Sequence, residues 1–212
     1  MSLADTERAA AWQLQSLLLG YPDHGLLDRR PLLRRAAESL PSAVGAPLQP
    51  LLDHLDDCDA WALASEYVAT FDHRKKFSPY LTYFLYGDTR KRGMALLRVK
   101  QVYQSAGMTL DDEELPDHLA VVLEFAAEHL EAGQRLLDEY RVGLELMRLG
   151  LRDAGSPWAG VLDSVRATVP PLRGNDMEAL ARLIAEGPPD EEVGLEPFAP
   201  PSYMPPPGGG RR

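Results

Sequence analysis

The stretch LPDHLAVVLEFAAEHLEAGQRLLDEYRVGLELMRLGL, residues 115–151, decides the fold class. Its apolar or small residues alternate at spacings of four and three, which places them along one face of an α-helix. They are Leu119, Leu123, Ala126, Leu130, Gly133, Leu137, Tyr140, Leu144, Met147 and Leu151. The pattern predicts one continuous helix, with Pro116 at its first position and Asp117 near its positive end. A helix of about 35 residues is ~50 Å long and would form the centre of the domain.

The rest of the chain predicts further helices separated by proline and glycine turns. Asp5 or Thr6 suits the N-cap of the first helix, and Gly133 favours a close crossing of the central helix by another one. We expect helices over residues 5–19, 24–40 with a break at Pro31, 47–55, 59–72, 78–86, 90–106, 156–169 and 175–186, and a loop over 41–47. No stretch alternates convincingly as a strand does. The predicted class is all-α, a single bundle-like helical domain.

Composition changes after residue 186. Eight of the 18 prolines and five of the 17 glycines fall in residues 187–212. We therefore expect a helical domain over 1–186 and a mostly disordered tail over 187–212. The sequence shows no export signal and no apolar run approaching the length of a membrane span, so we expect a cytoplasmic protein. With one cysteine, Cys58, a disulfide framework within the chain is excluded.

Charge is unevenly distributed. The net charge of −10 argues against general nucleic-acid binding. Residues 73–100, however, carry a net charge of +7, which leaves −17 for the remainder. This basic band has two interpretations: a solvated face paired with the acidic run at 111–114, or an anion-binding surface formed by Arg74, Lys75, Arg90 and Arg92.

The motifs of catalysis do not stand out in this sequence. Two candidate metal ligands, His118 and Glu124, are six residues apart, which is not a spacing that brings two ligands to one helical face. The nucleotide-binding glycine motifs and the nucleophile elbow are missing, and Cys58 sits in an acidic turn that disfavours its thiolate. We expect no metal site, no cofactor and no enzymatic activity.

Aromatic residues crowd between positions 67 and 86, beside the basic band. Among them are Tyr67, Phe71, Tyr80, Tyr83, Phe84 and Tyr86. Aromatic side chains at helical spacing are most often ordinary core. An aromatic groove with charged rims also suits a bound amphipathic helix, so a peptide-binding groove is the functional interpretation.

Four short stretches together resemble a known family. They are Ser16-Leu-Leu-Leu-Gly20-Tyr21-Pro22, Tyr67-Val-Ala-Thr-Phe71-Asp72, Tyr80-Leu-Thr-Tyr83-Phe84 and Gly87-Asp88-Thr89-Arg90-Lys91-Arg92-Gly93. Their order and spacing resemble the nitrate reductase delta subunit, or NarJ, family of molybdenum-cofactor assembly chaperones. Glu114-Leu-Pro116-Asp117-His118-Leu119 resembles the signature of the wider redox-enzyme maturation chaperones, the TorD and DmsD group. The resemblance covers about residues 10–150.

The resemblance implies an all-helical chaperone that binds the N-terminal helical segment of the catalytic alpha subunit of respiratory nitrate reductase. Such a chaperone holds the apoenzyme competent for molybdenum cofactor insertion before membrane docking. We expect a basic client helix to lie in a groove near the aromatic residues and the start of the central helix. The predicted client-binding residues are Tyr67, Phe71, Asp72, Tyr80, Tyr83, Phe84, Pro116, Asp117, His118 and Glu124.

Several alternatives stay open at this point. The client could be another molybdoenzyme, or the basic band at 74–100 could carry the anionic cofactor. The signature residues Pro116, Asp117 and His118 have a plainer interpretation, which is capping and local hydrogen bonding at the start of the central helix. Exchange of helices between two copies would give a homodimer.

Overall fold

The computed structural model describes residues 3–72, 77–110 and 114–189. These residues form helices joined by short turns, and within them no strand occurs beyond a single antiparallel bridge between Tyr80 and His118. The helices are α1 (Asp5–Leu19), α2 (His24–Asp28), α3 (Arg30–Ser39), α4 (Ser42–Gly45), α5 (Gln49–Asp57), α6 (Ala60–Phe71), α7 (Leu81–Tyr86), α8 (Arg90–Ser105), α9 (Leu119–Glu128), α10 (Leu130–Glu139), α11 (Arg141–Asp153), α12 (Ala159–Thr168) and α13 (Asn175–Glu186). The all-α prediction is confirmed.

The prediction of one continuous central helix is wrong. Residues 119–153 form three helices, because the backbone leaves the helical region at His129 (φ −124°, ψ 66°) and at Tyr140 (φ −102°, ψ 11°). The chain turns back so sharply at His129 that a Cβ on Gly133 would lie 2.2 Å from the Cα of Ala126. The close crossing expected at Gly133 therefore exists, and the helix that crosses α10 is α9, the preceding part of the same stretch.

The start of this stretch also differs from the prediction. Pro116 and Asp117 lie in a turn, and α9 begins at Leu119 with His118 as its N-cap. The apolar stripe itself is buried almost throughout. Its buried members are Leu119, Leu123, Ala126, Gly133, Leu137, Tyr140, Leu144, Met147 and Leu151. The periodicity thus identified the buried face correctly, since the same spacing holds within each short helix whatever the path between helices.

The core forms where α1 packs against α9 and α12. Trp12 of α1 is fully buried, and its indole Nε1–H donates to the hydroxyl of Thr168 on α12 at 2.9 Å. One turn further on, the side-chain amide of Gln15 donates to the hydroxyl of Ser164 at 2.8 Å. Since a buried amide or indole N–H needs a partner, these two pairs fix how α1 and α12 lie against each other.

Several predicted helix ends are corrected by the structure. The N-cap of α1 is Ala4, whose backbone N–H donates to Glu7, so neither Asp5 nor Thr6 is the cap. The predicted loop over 41–47 contains the short helix α4. The helix predicted from Ser78 begins at Leu81. Gly187, Pro188 and Pro189 continue past α13, while residues 190–212 of the predicted tail lie outside the described part of the chain.

Candidate functional site

Asp117 is the buried centre of the predicted signature. Its Oδ2 accepts hydrogen bonds from the backbone N–H of Thr82, at 3.1 Å, and from the Thr82 hydroxyl. The guanidinium of Arg92 lies 3.9 Å from the same oxygen and donates from Nε to the Thr82 hydroxyl at 3.2 Å. Because Thr82 lies in the first turn of α7, the carboxylate caps that helix from a distant part of the chain. Asp117 therefore joins the 114–118 turn to α7 and α8.

Pro116 and His118 connect the same turn to α8 and to α9, respectively. The hydroxyl of Tyr103 on α8 donates to the carbonyl of Pro116 at 2.7 Å, and both residues are buried. His118 Nδ1 accepts from the N–H of Ala120 at 3.2 Å and so caps α9. Burial lowers the pKa of His118, although the nearby carboxylates of Glu114 and Asp117 act in the opposite direction.

Tyr80 lies above this turn, half-buried. Its ring packs edge-on against the imidazole of His118 with 5.4 Å between ring centres, and the Arg92 guanidinium lies 5.6 Å from the ring centre. Burial and the charges of Glu114, Asp117 and Asp72 raise the pKa of Tyr80. Since Asp72 and Glu114 are exposed, this corner of the molecule presents an aromatic ring with two carboxylates beside it.

Tyr67 and Phe71 belong to the core. Their rings lie 4.7 Å apart and both pack against the fully buried Trp158, at 5.8 and 5.6 Å. The Tyr67 hydroxyl donates to the carbonyl of Leu19 at 2.9 Å, and burial is the main cause that raises its pKa. The expectation that these two rings line an open groove does not fit their burial. We interpret them as support for the surface around Tyr80.

Tyr83 and Phe84 do lie at an open groove, between α7, α11 and α13. The groove has a volume of about 510 Å³. Phe84 forms its floor and is fully buried; it packs so tightly that a Cβ on Gly143 would lie 2.9 Å from its ring. Tyr83 is half-buried, and Ile184 on the opposite side is 59% exposed. The remaining residues that line the groove are Leu146, Leu149, Gly150, Asp153, Leu183, Gly187 and Pro188.

The sequence prediction missed the contribution of α11 and α13 to this groove. Leu146 and Leu149 lie beside the predicted stripe of α11, on a flank that was not singled out. On α13, Leu180 is buried and Ile184, one turn later, stays exposed. The sequence carries only the apolar i, i+4 spacing of Leu180 and Ile184; the exposure of Ile184, which indicates a missing neighbour, is visible in the structure alone.

Of the four predicted anion-binding residues, the structure describes Arg90 and Arg92, and these two point in different directions. Arg92 turns inward to Thr82 and Asp117, whereas Arg90 is exposed, and Arg74 and Lys75 lie outside the described residues. Glu124 is exposed on α9.

Over residues 3–72, 77–110 and 114–189, no three His, Cys, Asp or Glu side chains form a group able to hold a metal ion. In the same residues, no helix is both long and apolar enough to span a bilayer.

Comparisons with known proteins agree on one family. The family described as "Nitrate reductase delta subunit" matches residues 37–163. A probable nitrate reductase molybdenum cofactor assembly chaperone, NarJ, of Bacillus subtilis (strain 168) is 31% identical over 77% of this chain and 90% of its own length. The corresponding Escherichia coli (strain K12) chaperone is 30% identical over 70% of this chain and 64% of its own.

Two further comparisons extend the likeness. The nitrate reductase-like protein NarX of Mycobacterium tuberculosis (strain H37Rv) is 39% identical over 74% of this chain, and the match spans only 24% of NarX. The crystal structure of a putative redox enzyme maturation protein from Archaeoglobus fulgidus superposes with a TM-score of 0.57, at 26% identity, over 74% of this chain and 91% of that one. On the match over residues 37–163 and the NarJ relatives, the chain belongs to the nitrate reductase delta subunit family.

Proposed function

We propose that this protein is a chaperone of nitrate reductase assembly that binds the N-terminal segment of the catalytic alpha subunit before molybdenum cofactor insertion. The family supports the chaperone role, since its NarJ relatives are named as molybdenum cofactor assembly chaperones. The same membership agrees with the prediction that the chain is not an enzyme. The cytoplasm, where the alpha subunit is completed before membrane docking, is the compartment that the proposal implies.

The observation that carries the client-binding part of the proposal is the apolar groove between α7, α11 and α13. Its volume of about 510 Å³ is in the range of sites that take a few anchoring side chains. Tyr83 and Ile184 border it from opposite sides, as expected for a groove that accepts one apolar face of an amphipathic helix. Burial of the exposed Ile184 side chain by a client would remove apolar surface from water.

Charge favours a cationic client segment. The chain carries a net charge of −10, and Asp153 lies at the groove itself. Asp72 and Glu114, beside Tyr80, provide two more exposed carboxylates. These charges would raise the rate of encounter with a basic segment more than its final affinity. Asp117 is fully buried, so we assign it to positioning of α7 and not to client contact.

Calorimetric titration tests the proposal. The ligand is a peptide of ~15 residues that copies the start of the nitrate reductase alpha subunit from the same organism, a length of about four helical turns. We expect micromolar binding, and Ile184→Ser should weaken it by about 10-fold or more, because ~1.5–3 kcal/mol of apolar burial is lost. Leu97→Ser is the matched control, since Leu97 on α8 is 53% exposed but does not line the groove.

Two results would contradict the proposal. One is the absence of binding heat and of any change in peptide helicity at peptide concentrations up to the millimolar range. The other is equal weakening by Ile184→Ser and Leu97→Ser, which would show that the groove is not where the peptide binds. Binding of the wild type with selective loss in Ile184→Ser would support the groove as the client site.

A further inference from the structure

The last described residues of the chain lie at the groove between α7, α11 and α13. Gly187 and Pro188 are part of the groove wall. Pro189 lies on the turn between α7 and α8, so close that a Cβ on Gly87 would be 1.6 Å from its carbonyl oxygen. Gly87 also has φ of +56°, a conformation that glycine adopts readily. Residues 190–212 therefore start from the rim of the groove.

We propose that residues 190–204 of this chain bind in the groove as an internal ligand, which a client segment must displace. The docking of the segment is independent of the client. The displacement rests on the proposed function.

The segment has the composition of an extended groove ligand. Val193, Leu195 and Phe198 supply apolar side chains within nine residues of Pro189. At ~3.3 Å per residue, nine residues reach up to about 30 Å, which is longer than the groove-lining helix α7. Pro197, with prolines 200 and 201, disfavours a helix and limits the conformations of the free segment. Less conformational entropy is then lost when the segment binds.

Charge at the exit point is complementary. Asp190, Glu191 and Glu192 follow Pro189 directly. The first turn of α8, which begins three residues after Gly87, contains Arg90, Lys91 and Arg92 and no acidic residue. Arg92 already has Asp88 and Asp117 as ion-pair partners. Cations at the positive end of a helix are unfavourable, and carboxylates placed beside Arg90 and Lys91 would offset both their charge and the helix dipole. The acidic start of the segment is thus suited to the place where the chain leaves α13.

Tethering makes even a weak contact effective. A segment linked this closely has an effective concentration of ~1 mM. If residues 190–204 as a free peptide bound with a dissociation constant of ~0.1 mM, the groove would be about nine-tenths occupied and the apparent client affinity would fall about 10-fold. The internal ligand would thereby keep the apolar groove covered until a tighter-binding client arrives.

Disulfide trapping in the full-length chain tests the docking without any client. In a Cys58→Ser background, Ile184→Cys is combined with Phe198→Cys, and intrachain crosslinking under mild oxidation is followed by mass spectrometry. We expect rapid crosslinking, because a disulfide needs the two Cα atoms within ~7 Å. The control combines Phe198→Cys with Trp61→Cys, since Trp61 on α6 is 80% exposed and lies outside the groove. Equal rates for the two pairs would overturn the proposal.

Client titration tests the displacement. The double variant Leu195→Ser with Phe198→Ser should bind the alpha-subunit peptide about 10-fold more tightly than the wild type, and the peptide should suppress the Ile184–Phe198 crosslink. Selective crosslinking without any peptide binding would contradict the proposed function and leave the internal ligand standing. Peptide binding without selective crosslinking would contradict the internal ligand and leave the proposed function standing. Unchanged peptide affinity in the double variant, with crosslinking present, would overturn the displacement.

Discussion

The carboxylate of Asp117 caps α7 through two hydrogen bonds to Thr82, which lies 35 residues earlier in the chain. The arrangement is reinforced by the backbone, since the N–H of Leu81 donates to the carbonyl of Asp117 at 3.0 Å. The N–H of Leu119 in turn donates to the carbonyl of Pro79 at 2.8 Å. These hydrogen bonds connect the turn before α9 to the turn before α7. Since Tyr83 and Phe84 lie on α7, the same contacts position both side chains at the groove.

We predict that Asp117→Ala lowers the free energy of unfolding by about 3 kcal/mol, because it leaves the buried N–H and hydroxyl of Thr82 without their acceptor and removes the carboxylate beside the Arg92 guanidinium. Urea denaturation measures this change. Asp72→Ala, at an exposed carboxylate, is the control and should change stability by less than about 0.5 kcal/mol. At temperatures where both variants are folded, client affinity should stay near that of the wild type for Asp117→Ala. A stable Asp117→Ala protein that no longer binds the peptide would reverse this assignment.

The sequence identified Asp117 but not its partner. Short motifs locate a residue along the chain, whereas the hydrogen bond to Thr82 depends on how two distant turns meet. The plainer interpretation of Asp117 as a helix cap was close to the structure, except that the capped helix is α7 and not α9, which His118 caps.

The burial pattern of residues 119–151 could be predicted, and their path could not. Periodicity reports which face of a helix is apolar. The breaks fall at His129 and Tyr140, neither of which is a proline or a glycine, so the usual signals of a helix end are missing there. The same limit applies to the aromatic residues: Tyr67 and Tyr83 both lie on helices of the aromatic-rich segment, yet one is core and the other borders the groove.

The sharp turn at His129 leads to a prediction at Gly133. Alanine normally stabilises a helix interior by ~1 kcal/mol relative to glycine. Gly133→Ala should instead destabilise the protein by about 1–3 kcal/mol, because its Cβ would overlap the Cα of Ala126. Gly93→Ala is the matched control, since a Cβ at Gly93 within α8 meets nothing within 4 Å. In both thermal and urea unfolding, Gly133→Ala should therefore be less stable than the wild type and Gly93→Ala more stable. A stabilised Gly133→Ala protein would contradict the folded-back arrangement of α9 and α10.

His118 makes stability depend on pH. Burial lowers its pKa below the ordinary value of 6.5, against the influence of Glu114, Asp117 and Asp72. The unfolded chain thus binds a proton more readily than the folded one, so the free energy of unfolding should decrease as the pH falls below about 6.5. The slope from this one group is at most about 1.4 kcal/mol per pH unit.

His118→Asn tests this dependence, because asparagine can keep the capping acceptor without titrating. Urea denaturation between pH 7.5 and pH 5 should give a shallower loss of stability for the variant than for the wild type. Groups that titrate elsewhere contribute equally to both proteins and cancel in the comparison. A difference between the two proteins that stays constant over this range would show that His118 does not supply the pH dependence.

The buried pair Gln15 and Ser164 offers a last test, of how α1 is fixed to α12. Ser164 accepts from Gln15 and donates to the carbonyl of Val44 at 2.7 Å, while the Gln15 Oε1 has no hydrogen-bond partner among the described residues. Ser164→Ala should cost about 1–3 kcal/mol, because it strands the amide N–H₂ of Gln15 as well. Gln15→Met should cost less, since methionine is of similar size and brings no polar atom into the core.

The double variant Gln15→Met with Ser164→Ala should then be more stable than the sum of the two single changes predicts, by about 1 kcal/mol. Urea denaturation of the four proteins of this cycle measures the coupling energy. Ser105→Ala, at an exposed hydroxyl on α8, replaces Ser164→Ala in the control cycle and should be additive with Gln15→Met. Additivity in both cycles would mean that the Gln15–Ser164 hydrogen bond contributes nothing net, and that the other contacts of α1 with α12, among them those of Trp12, hold the two helices together.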